Sequence, residues 1–311
     1  MLGRSLGPQP LALDGQRLAE AHLAVLARVC DAHHKKSLFS HDGEDLVVAR
    51  IGFGAMRLCG SGVWGGPRDP DAARMVLRRA IELGVTLIDT ADAYGPEVNE
   101  QLIAETLHPY PEELVIATKG GLTRPRPGAW ENDGRPEHLR AACEGSLRRL
   151  KLERIDLYQL HAPDPRVPLE ESVGVLTDLR AEGKIRHIGI SNVSVDELRR
   201  ARRLVPIATV QNRYNYGDRS SEEILRECER ESIIFLPWYP LEAGGSASST
   251  GTLARVAARH NASPAQIAIA WLLARSPITV PIPGTSSIAH LEENVAALCI
   301  RLSPQDLAET K

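Results

Sequence analysis

Eight strand-like segments that alternate with amphipathic helical segments predict an α/β protein built as a single (β/α)8 barrel, or TIM barrel. Most of the strand-like segments are near-continuous apolar runs, which is typical of parallel strands buried on both faces. They lie at 49–54, 86–91, 113–119, 156–161, 187–192, 207–213, 233–239 and 278–283. The helical segments lie at 70–83, 96–107, 136–150, 169–182, 195–204, 221–231, 264–275 and 287–298. No GxGxxG turn follows an early strand, which disfavours a doubly wound open sheet.

Local signals support several of the predicted helix starts. A serine stands three residues before Glu or Gln at Ser194, Ser220 and Ser263, the pattern of a capping box. Prolines suited to a first helical turn stand at Pro70, Pro96 and Pro264. We therefore expect helices to begin beside each of these positions.

A β-hairpin is predicted ahead of the barrel. The segments KSLFS and LVVAR flank Asp42-Gly43, a dipeptide typical of hairpin turns. In a barrel such a hairpin is expected to cap the bottom. Residues 36–311 are thus predicted to form one barrel domain, and residues 1–35 an N-terminal extension that is either flexible or a short helix.

Charge and composition exclude several classes of partner. The 311 residues carry a net charge of −3 and no long basic run, which argues against nucleic acid. No apolar run is long enough to cross a membrane. The five cysteines are scattered, as is typical of reduced thiols in a cytoplasmic protein. Cys30, His33 and His34 lack a second pair of ligands, so no metal site is expected.

Polar side chains stand where the predicted strands end. Active sites of such barrels lie at the C-terminal ends of the strands. Asp89, Lys119 and His161 close strands 2, 3 and 4, and Tyr94 follows Asp89. A lysine ammonium lowers the pKa of a nearby tyrosine, and an aspartate keeps a buried lysine charged. Tyr94 can then protonate a carbonyl oxygen that His161 orients. The hydride has to come from a bound cofactor.

The later strands carry groups suited to a cofactor. Asn192 and Gln211 offer amides that match the carboxamide of nicotinamide, and Trp238 offers a ring face for stacking. The run Gly284-Thr285-Ser286-Ser287 opens the last helix, where backbone N–H groups can bind phosphate. Trp64 and Trp130 follow strands 1 and 3 and are predicted to line a mouth for an apolar carbonyl substrate.

These residues lie in segments that resemble the aldo-keto reductase superfamily over about residues 40–300. The segments are IDTADAYG (88–95), TKGG (118–121), GSLRRLKLERIDLYQLH (145–161), GISN (189–192), QNRYN (211–215) and IPGTSSIAHLEEN (282–294). The resemblance implies a catalytic tetrad of Asp89, Tyr94, Lys119 and His161, with Tyr94 as the general acid. It further implies cofactor contacts from Ala55, Met56, Ser191, Asn192, Gln211, Trp238, Leu241, Thr285, Ser286, Ser287, Glu293 and Asn294.

Two departures from the family pattern bear on the cofactor. Many members place Lys and Arg where this chain has Gly284 and His290, and those cations hold the 2′-phosphate of NADP. The resemblance still favours NADP(H) over NAD(H), and we expect the preference to be modest. The GTSS phosphate loop is similar to that of bacterial single-domain members, some of which reduce pyridoxal.

The function predicted from these observations is NAD(P)H-dependent reduction of an aldehyde or ketone to the alcohol (EC 1.1.1.-), with pyridoxal as one possible substrate. Two alternatives remain open: an NADP-binding, redox-sensing regulatory subunit of the channel β-subunit type, and a barrel that serves only as a scaffold. The substrate depends on the loops at 57–69, 120–135 and 242–252 and on the C-terminal tail. The sequence predicts neither their shapes nor the oligomeric state.

Overall fold

The computed structural model of the chain describes residues 36–41, 44–241 and 251–310. Its strands are β1 (Lys36–His41), β2 (Glu44–Ala49), β3 (Phe53–Gly54), β4 (Leu87–Asp89), β5 (Val115–Gly120), β6 (Leu122–Thr123), β7 (Glu131–Asn132), β8 (Ile155–Leu160), β9 (Ile185–Ser191), β10 (Thr209–Gln211) and β11 (Ile234–Phe235). Its helices are α1 (Pro70–Glu82), α2 (Val98–Leu107), α3 (Pro136–Leu150), α4 (Leu169–Ala181), α5 (Val195–Arg202), α6 (Glu222–Arg230), α7 (Thr252–His260), α8 (Pro264–Arg275), α9 (Ile288–Ala296) and α10 (Pro304–Glu309).

Seven parallel strands form one curled sheet in the order β11-β10-β9-β8-β5-β4-β3. The segment 278–283 joins the two edges of this sheet. On one side the amide of Val280 donates to Phe235 O (2.8 Å), and on the other the amide of Gly52 donates to Pro281 O (2.9 Å). Pro281 and Pro283 have no N–H to donate, so this segment closes the barrel through isolated bridges and does not form a continuous eighth strand.

Apolar side chains fill both the barrel interior and the space between sheet and helices. The interior cluster contains Leu87, Ala117 and Leu157 from successive strands of the sheet. Leu46 and Val48 of the antiparallel pair β1–β2 belong to the same cluster. Leu46 and Val48 of the hairpin therefore pack against the apolar interior of the barrel. The predicted turn at 42–43 lies outside the described residues.

Two of the three predicted capping boxes are confirmed, at Ser194 and Ser263. The third is wrong: α6 begins one residue later, after Ser221, and has no side-chain cap, while the Ser220 hydroxyl donates to Asp218 (2.7 Å). Pro70 and Pro264 occupy first-turn positions.

The predicted first-turn role of Pro96 is also wrong. Helix α2 begins at Val98 after Glu97, which takes a left-handed conformation with φ of 66°. That conformation turns the chain between Pro96 and the helix, so Pro96 stays outside α2. Helices α7 and α10 and the β6–β7 pair were not predicted.

None of the helices in the described part of the chain is long and apolar enough to cross a membrane.

Candidate active site

A cavity of ≈ 300 Å³ opens at the C-terminal ends of the parallel strands. Eleven of the predicted site residues line it: Met56, Asp89, Tyr94, Trp130, His161, Ser191, Asn192, Gln211, Trp238, Leu241 and Gly284. The barrel thus brings together side chains from strands that are far apart in the sequence, as the pattern of strand ends predicts. The lining also includes residues that the sequence did not indicate: Gly54, Arg57, Leu122, Tyr239, Pro240, Ile282 and Pro283.

A buried ion pair adjoins the cavity, with Asp89 in its lining and Lys119 behind it. Lys119 Nζ is 2.6 Å from Asp89 Oδ2, and the two side chains are 0% and 3% exposed. The ammonium also donates to Thr90 O (2.9 Å) and to the Tyr94 hydroxyl (3.4 Å). Burial is the largest single effect and lowers the pKa of Lys119, but the charges of Asp89 and Tyr94 and the hydrogen bonds to them together outweigh it, so the pKa lies above its ordinary value. Lys119 is therefore charged at neutral pH and reaches the cavity only through Tyr94.

The second oxygen of Asp89 is held by two amides. Gln211 Nε2 donates to Asp89 Oδ1 at 2.8 Å and Gln159 Nε2 at 3.2 Å. Gln159 was not singled out from the sequence, although a glutamine inside an apolar strand is a recognisable signal for a buried polar partner. The two glutamines fix the carboxylate, and so fix the direction in which Lys119 points.

Two opposing effects act on the Tyr94 phenol. Burial raises its pKa, the Lys119 ammonium lowers it, and the resulting pKa lies above the ordinary value. The predicted direction of the lysine effect is confirmed, but the expected net lowering is wrong because desolvation is the larger contribution. Tyr94 is thus fully protonated at neutral pH and has a proton to donate.

His161 faces Tyr94 across the cavity, with ring centroids 5.7 Å apart. Burial and the charge of Lys119 both lower the pKa of His161 well below its ordinary value, so the imidazole is neutral at pH 7. Its Nδ1 is buried and has no hydrogen-bond partner within the described residues. An uncharged ring with unused polar capacity at a cavity wall is suited to a polar ligand atom.

The predicted nicotinamide contacts form one connected group. Asn192 Nδ2 donates to His161 O (2.9 Å), and Asn192 Oδ1 accepts from Trp238 Nε1 (3.1 Å). The Ser191 hydroxyl donates to Gln211 O (2.6 Å). Asn192 takes a left-handed φ of 59°, which turns the chain at the end of β9. Hydrogen bonds connect the group, and within the described residues the Gln211 side-chain oxygen accepts no bond from it.

The seam where the barrel closes explains the glycine at 284. A Cβ on Gly284 would lie 2.5 Å from Gly54 O, a backbone atom that cannot move aside cheaply. The family's common lysine therefore does not fit this backbone. At the second position where the family commonly has a cation, this chain has His290, which lies exposed in the first turn of α9.

The predicted adenosine contacts lie beyond the cavity, at the start of α9. Ser287 caps this helix by accepting from the amide of His290, and the Thr285 hydroxyl accepts from the amide of Ser287 (3.0 Å). Seven of the predicted cofactor contacts do not line the cavity: Ala55, Thr285, Ser286, Ser287, His290, Glu293 and Asn294.

Trp64, predicted to contact substrate, does not line the cavity either; its ring lies 5.6 Å from the Arg124 guanidinium. No group of three or more His, Cys, Asp or Glu side chains in the described segments could hold a metal ion. The imagined ligands Cys30, His33 and His34 lie outside those segments.

Comparison with known proteins identifies similar chains. Residues 50–311 match the sequence model of the Aldo/keto reductase family. An uncharacterized oxidoreductase of Schizosaccharomyces pombe is 46% identical over 265 residues, which cover 85% of this chain and 86% of that protein. A pyridoxine 4-dehydrogenase of Escherichia coli is 41% identical over 268 residues, which cover 84% and 93% of the two chains.

Solved structures share the fold. The thermostable aldo-keto reductase Tm1743, in complex with the inhibitor epalrestat, superposes with a TM-score of 0.76 at 30% identity, covering 88% of this chain and 98% of that one. An aldo-keto reductase of Klebsiella pneumoniae in complex with NADPH gives a TM-score of 0.72 at 29% identity, covering 85% and 90%.

Proposed function

The chain belongs to the aldo-keto reductase family, and on that premise we propose that it is an NAD(P)H-dependent carbonyl reductase in which Tyr94 is the proton donor. The observation that carries this proposal is the Tyr94 hydroxyl, which lies 3.4 Å from the Lys119 ammonium on the wall of the cavity that His161 also lines. Asp89, behind it, keeps that ammonium charged.

The residues along one side of the cavity fit a nicotinamide ring. The unused Gln211 oxygen suits a carboxamide N–H, and the Trp238 ring suits a planar heterocycle. When bound, the cofactor supplies the hydride. The NADPH complex of the Klebsiella relative supports NADP(H), whereas Gly284 and His290 reduce the cationic contribution to a 2′-phosphate. We therefore expect NADP(H) to be preferred by roughly ten- to a hundredfold, because neutral donors contribute about 1 kcal/mol each.

Proton transfer is assigned to this chain's own residues. Tyr94 gives its phenolic proton to the carbonyl oxygen as that oxygen gains negative charge. The neutral His161 ring provides a second polar contact and orients the substrate. The Lys119 ammonium stabilises the phenolate that remains after the proton has left. Asp89 prevents the buried ammonium from losing its proton in turn.

An aromatic aldehyde is the substrate that we favour, with pyridoxal as the named example. The similarity to a pyridoxine 4-dehydrogenase over 84% of the chain supports it. The rings of Tyr94 and Trp130 on the cavity wall also support a flat substrate.

The test is NADPH oxidation by a panel of aldehydes, with NADH in parallel, for the wild type and for Tyr94→Phe. We expect Tyr94→Phe to lower kcat by at least ~10²-fold, the usual contribution of a general acid. The matched control is Tyr216→Phe, because the Tyr216 ring packs against Trp271 away from the cavity. If Tyr94→Phe retains more than about a tenth of the activity, Tyr94 is not the proton donor. NADPH binding without any aldehyde reduction would favour a redox-sensing subunit instead.

The same proposal includes the organisation of the chain. We infer that residues 36–311 form the reductase domain, with the β1–β2 hairpin over the end of the barrel that lies opposite the cavity. Residues 1–35 are then an extension that the chemistry does not use.

A further inference from the structure

Arg124 is a buried cation beside the cavity that nothing in the proposed chemistry uses. Its side chain is 7% exposed and follows β6 directly. The guanidinium donates to four backbone carbonyls: Gly62 O (3.0 Å), Val63 O (2.9 Å), Ala93 O (3.4 Å) and Ala129 O (2.8 Å). No carboxylate is among its hydrogen-bond partners in the described residues, so its placement serves the backbone rather than an ion pair.

The four carbonyls belong to three different loops above the barrel. Gly62 and Val63 follow β3, Ala93 follows β4, and Ala129 follows β5. One side chain therefore ties together the segments that surround the mouth of the cavity. A guanidinium can do this because it presents five donors in a fixed plane, which a lysine ammonium cannot match.

One of the tied loops is strained. Val63 has φ of 58°, a left-handed conformation that a β-branched residue rarely takes. Such a conformation persists only where the surrounding structure holds it. The carbonyl of Val63 accepts from Arg124 and from the amide of Gly95 (3.4 Å), and these contacts hold the loop in place.

The same guanidinium stacks on a wall of the cavity. Arg124 Cζ lies 3.7 Å from the centroid of the Trp130 ring, within the range of a cation–π contact. The Trp130 ring in turn meets Tyr94 and His161 edge to face, at 6.3 Å and 6.4 Å between centroids. Because Trp130 is 39% exposed, packing alone does not fix its ring.

We propose that Arg124 is a positioning residue that holds Trp130 as the substrate-side wall and so determines a preference for flat aromatic aldehydes over small aliphatic ones. The proposal rests on the carbonyl reductase function and adds a specificity determinant to it. A flat substrate contacts the fixed Trp130 ring beside Tyr94 and His161. A small aliphatic aldehyde reaches Tyr94 without touching that wall, and so gains little from its position.

The experiment compares Arg124→Met and Arg124→Lys with the wild type. The matched control is Arg126→Met, in the same loop, whose exposed side chain makes no hydrogen bond or ion pair within the described residues. For each protein, kcat and KM are measured with pyridine-4-carbaldehyde and with propanal, together with the Kd for NADPH and the Tm. Arg124→Lys preserves the charge near Trp130 and guards against a methionine variant that fails to fold.

We expect Arg124→Met to raise KM for the aromatic aldehyde roughly tenfold or more, since displacement of a positioning group by about 1 Å can cost that much. The values of kcat/KM for propanal and of Kd for NADPH should change by less than about threefold. Arg124→Lys should fall between, and Arg126→Met should match the wild type. Equal losses with both aldehydes, or an unchanged ratio between them, would overturn the proposal.

A second readout does not depend on turnover. Acrylamide quenching of Trp130 is obtained as the difference between proteins with Trp130 and proteins with Trp130→Phe, in the wild-type, Arg124→Met and Arg124→Lys backgrounds. Release of the ring should increase its quenching by about twofold, whereas unchanged quenching contradicts the proposed fixation. If the wild type reduces no aldehyde at all, the carbonyl reductase proposal fails, and the quenching result alone decides whether Arg124 positions Trp130.

Discussion

The ion pair of Asp89 and Lys119 should be one of the most costly contacts in the barrel to break. Its atoms are 2.6 Å apart and its side chains 3% and 0% exposed. Lys119→Met leaves the Asp89 carboxylate with only two neutral amide donors, and Asp89→Asn leaves a buried ammonium without a counterion. Removal of one partner of a buried pair costs about 3–5 kcal/mol. We expect each single variant to lose that amount of free energy of unfolding.

A double-mutant cycle separates this coupling from simple loss of packing. The double variant Asp89→Asn with Lys119→Met holds no uncompensated charge, so it should be more stable than the sum of the single losses implies, by about 2 kcal/mol or more. The surface pair Arg140–Glu182, 36% and 39% exposed, is the control cycle. Its coupling should not exceed about 1 kcal/mol.

The assay is urea unfolding at pH 7, followed by far-ultraviolet circular dichroism and by tryptophan fluorescence. Coincident transitions are needed before the free energies are compared, because a barrel of this size can unfold through intermediates. Single losses below about 1 kcal/mol, or losses that add in the double variant, would refute the reasoning. The first result would mean that water reaches the pair, and the second that Asp89 and Lys119 act independently.

Three further predictions follow from the site and its borders. Burial lowers the pKa of His161, so below about pH 6.5 the unfolded chain binds this proton and the folded chain does not. The free energy of unfolding should therefore fall by up to ~1.4 kcal/mol for each unit by which the pH is lowered. Urea unfolding at pH 7.5 and 5.5 should show a smaller fall for His161→Gln than for the wild type. Gly284→Lys should lower the Tm without raising the NADPH/NADH ratio of kcat/KM, because its Cβ meets Gly54 O at 2.5 Å, whereas His290→Arg should raise that ratio by at least about tenfold; a stable Gly284→Lys protein would contradict the clash. Deletion of residues 1–35 should leave kcat within a few-fold, and a folded but inactive product would show that the extension contributes to the site.

The sequence was most informative where a position in a strand decides where a side chain lies. Asp89, Lys119 and His161 close neighbouring strands, and parallel strands end at the same side of a barrel. Their convergence therefore follows from the count of elements alone. Helix α7 was missed but could have been predicted, because Leu253, Val256 and Ala257 have helical spacing.

Other features depend on contacts between distant segments and have no local pattern. The role of Arg124 arises only when three loops meet, and a lone arginine after a lysine-glycine-glycine segment does not indicate it. The fit of Gly284 against Gly54 likewise depends on how closely the barrel seam closes. The sequence shows that Lys is missing at 284, but only the backbone shows why.

The net pKa of Tyr94 is the third such case, and it determines how the site works. From residue types alone, the ammonium of Lys119 predicts a lowered pKa, whereas the depth of burial makes desolvation the larger effect. The same ammonium also lowers the pKa of His161, where burial acts in the same direction. Tyr94 and His161, the two groups assigned to the carbonyl oxygen, are therefore neutral at pH 7, and the nearest charges are those of the closed Asp89–Lys119 pair. An uncharged carbonyl substrate can then enter an apolar cavity without displacing a hydrated ion. Negative charge that develops on its oxygen meets a proton donor first and a fixed cation behind it.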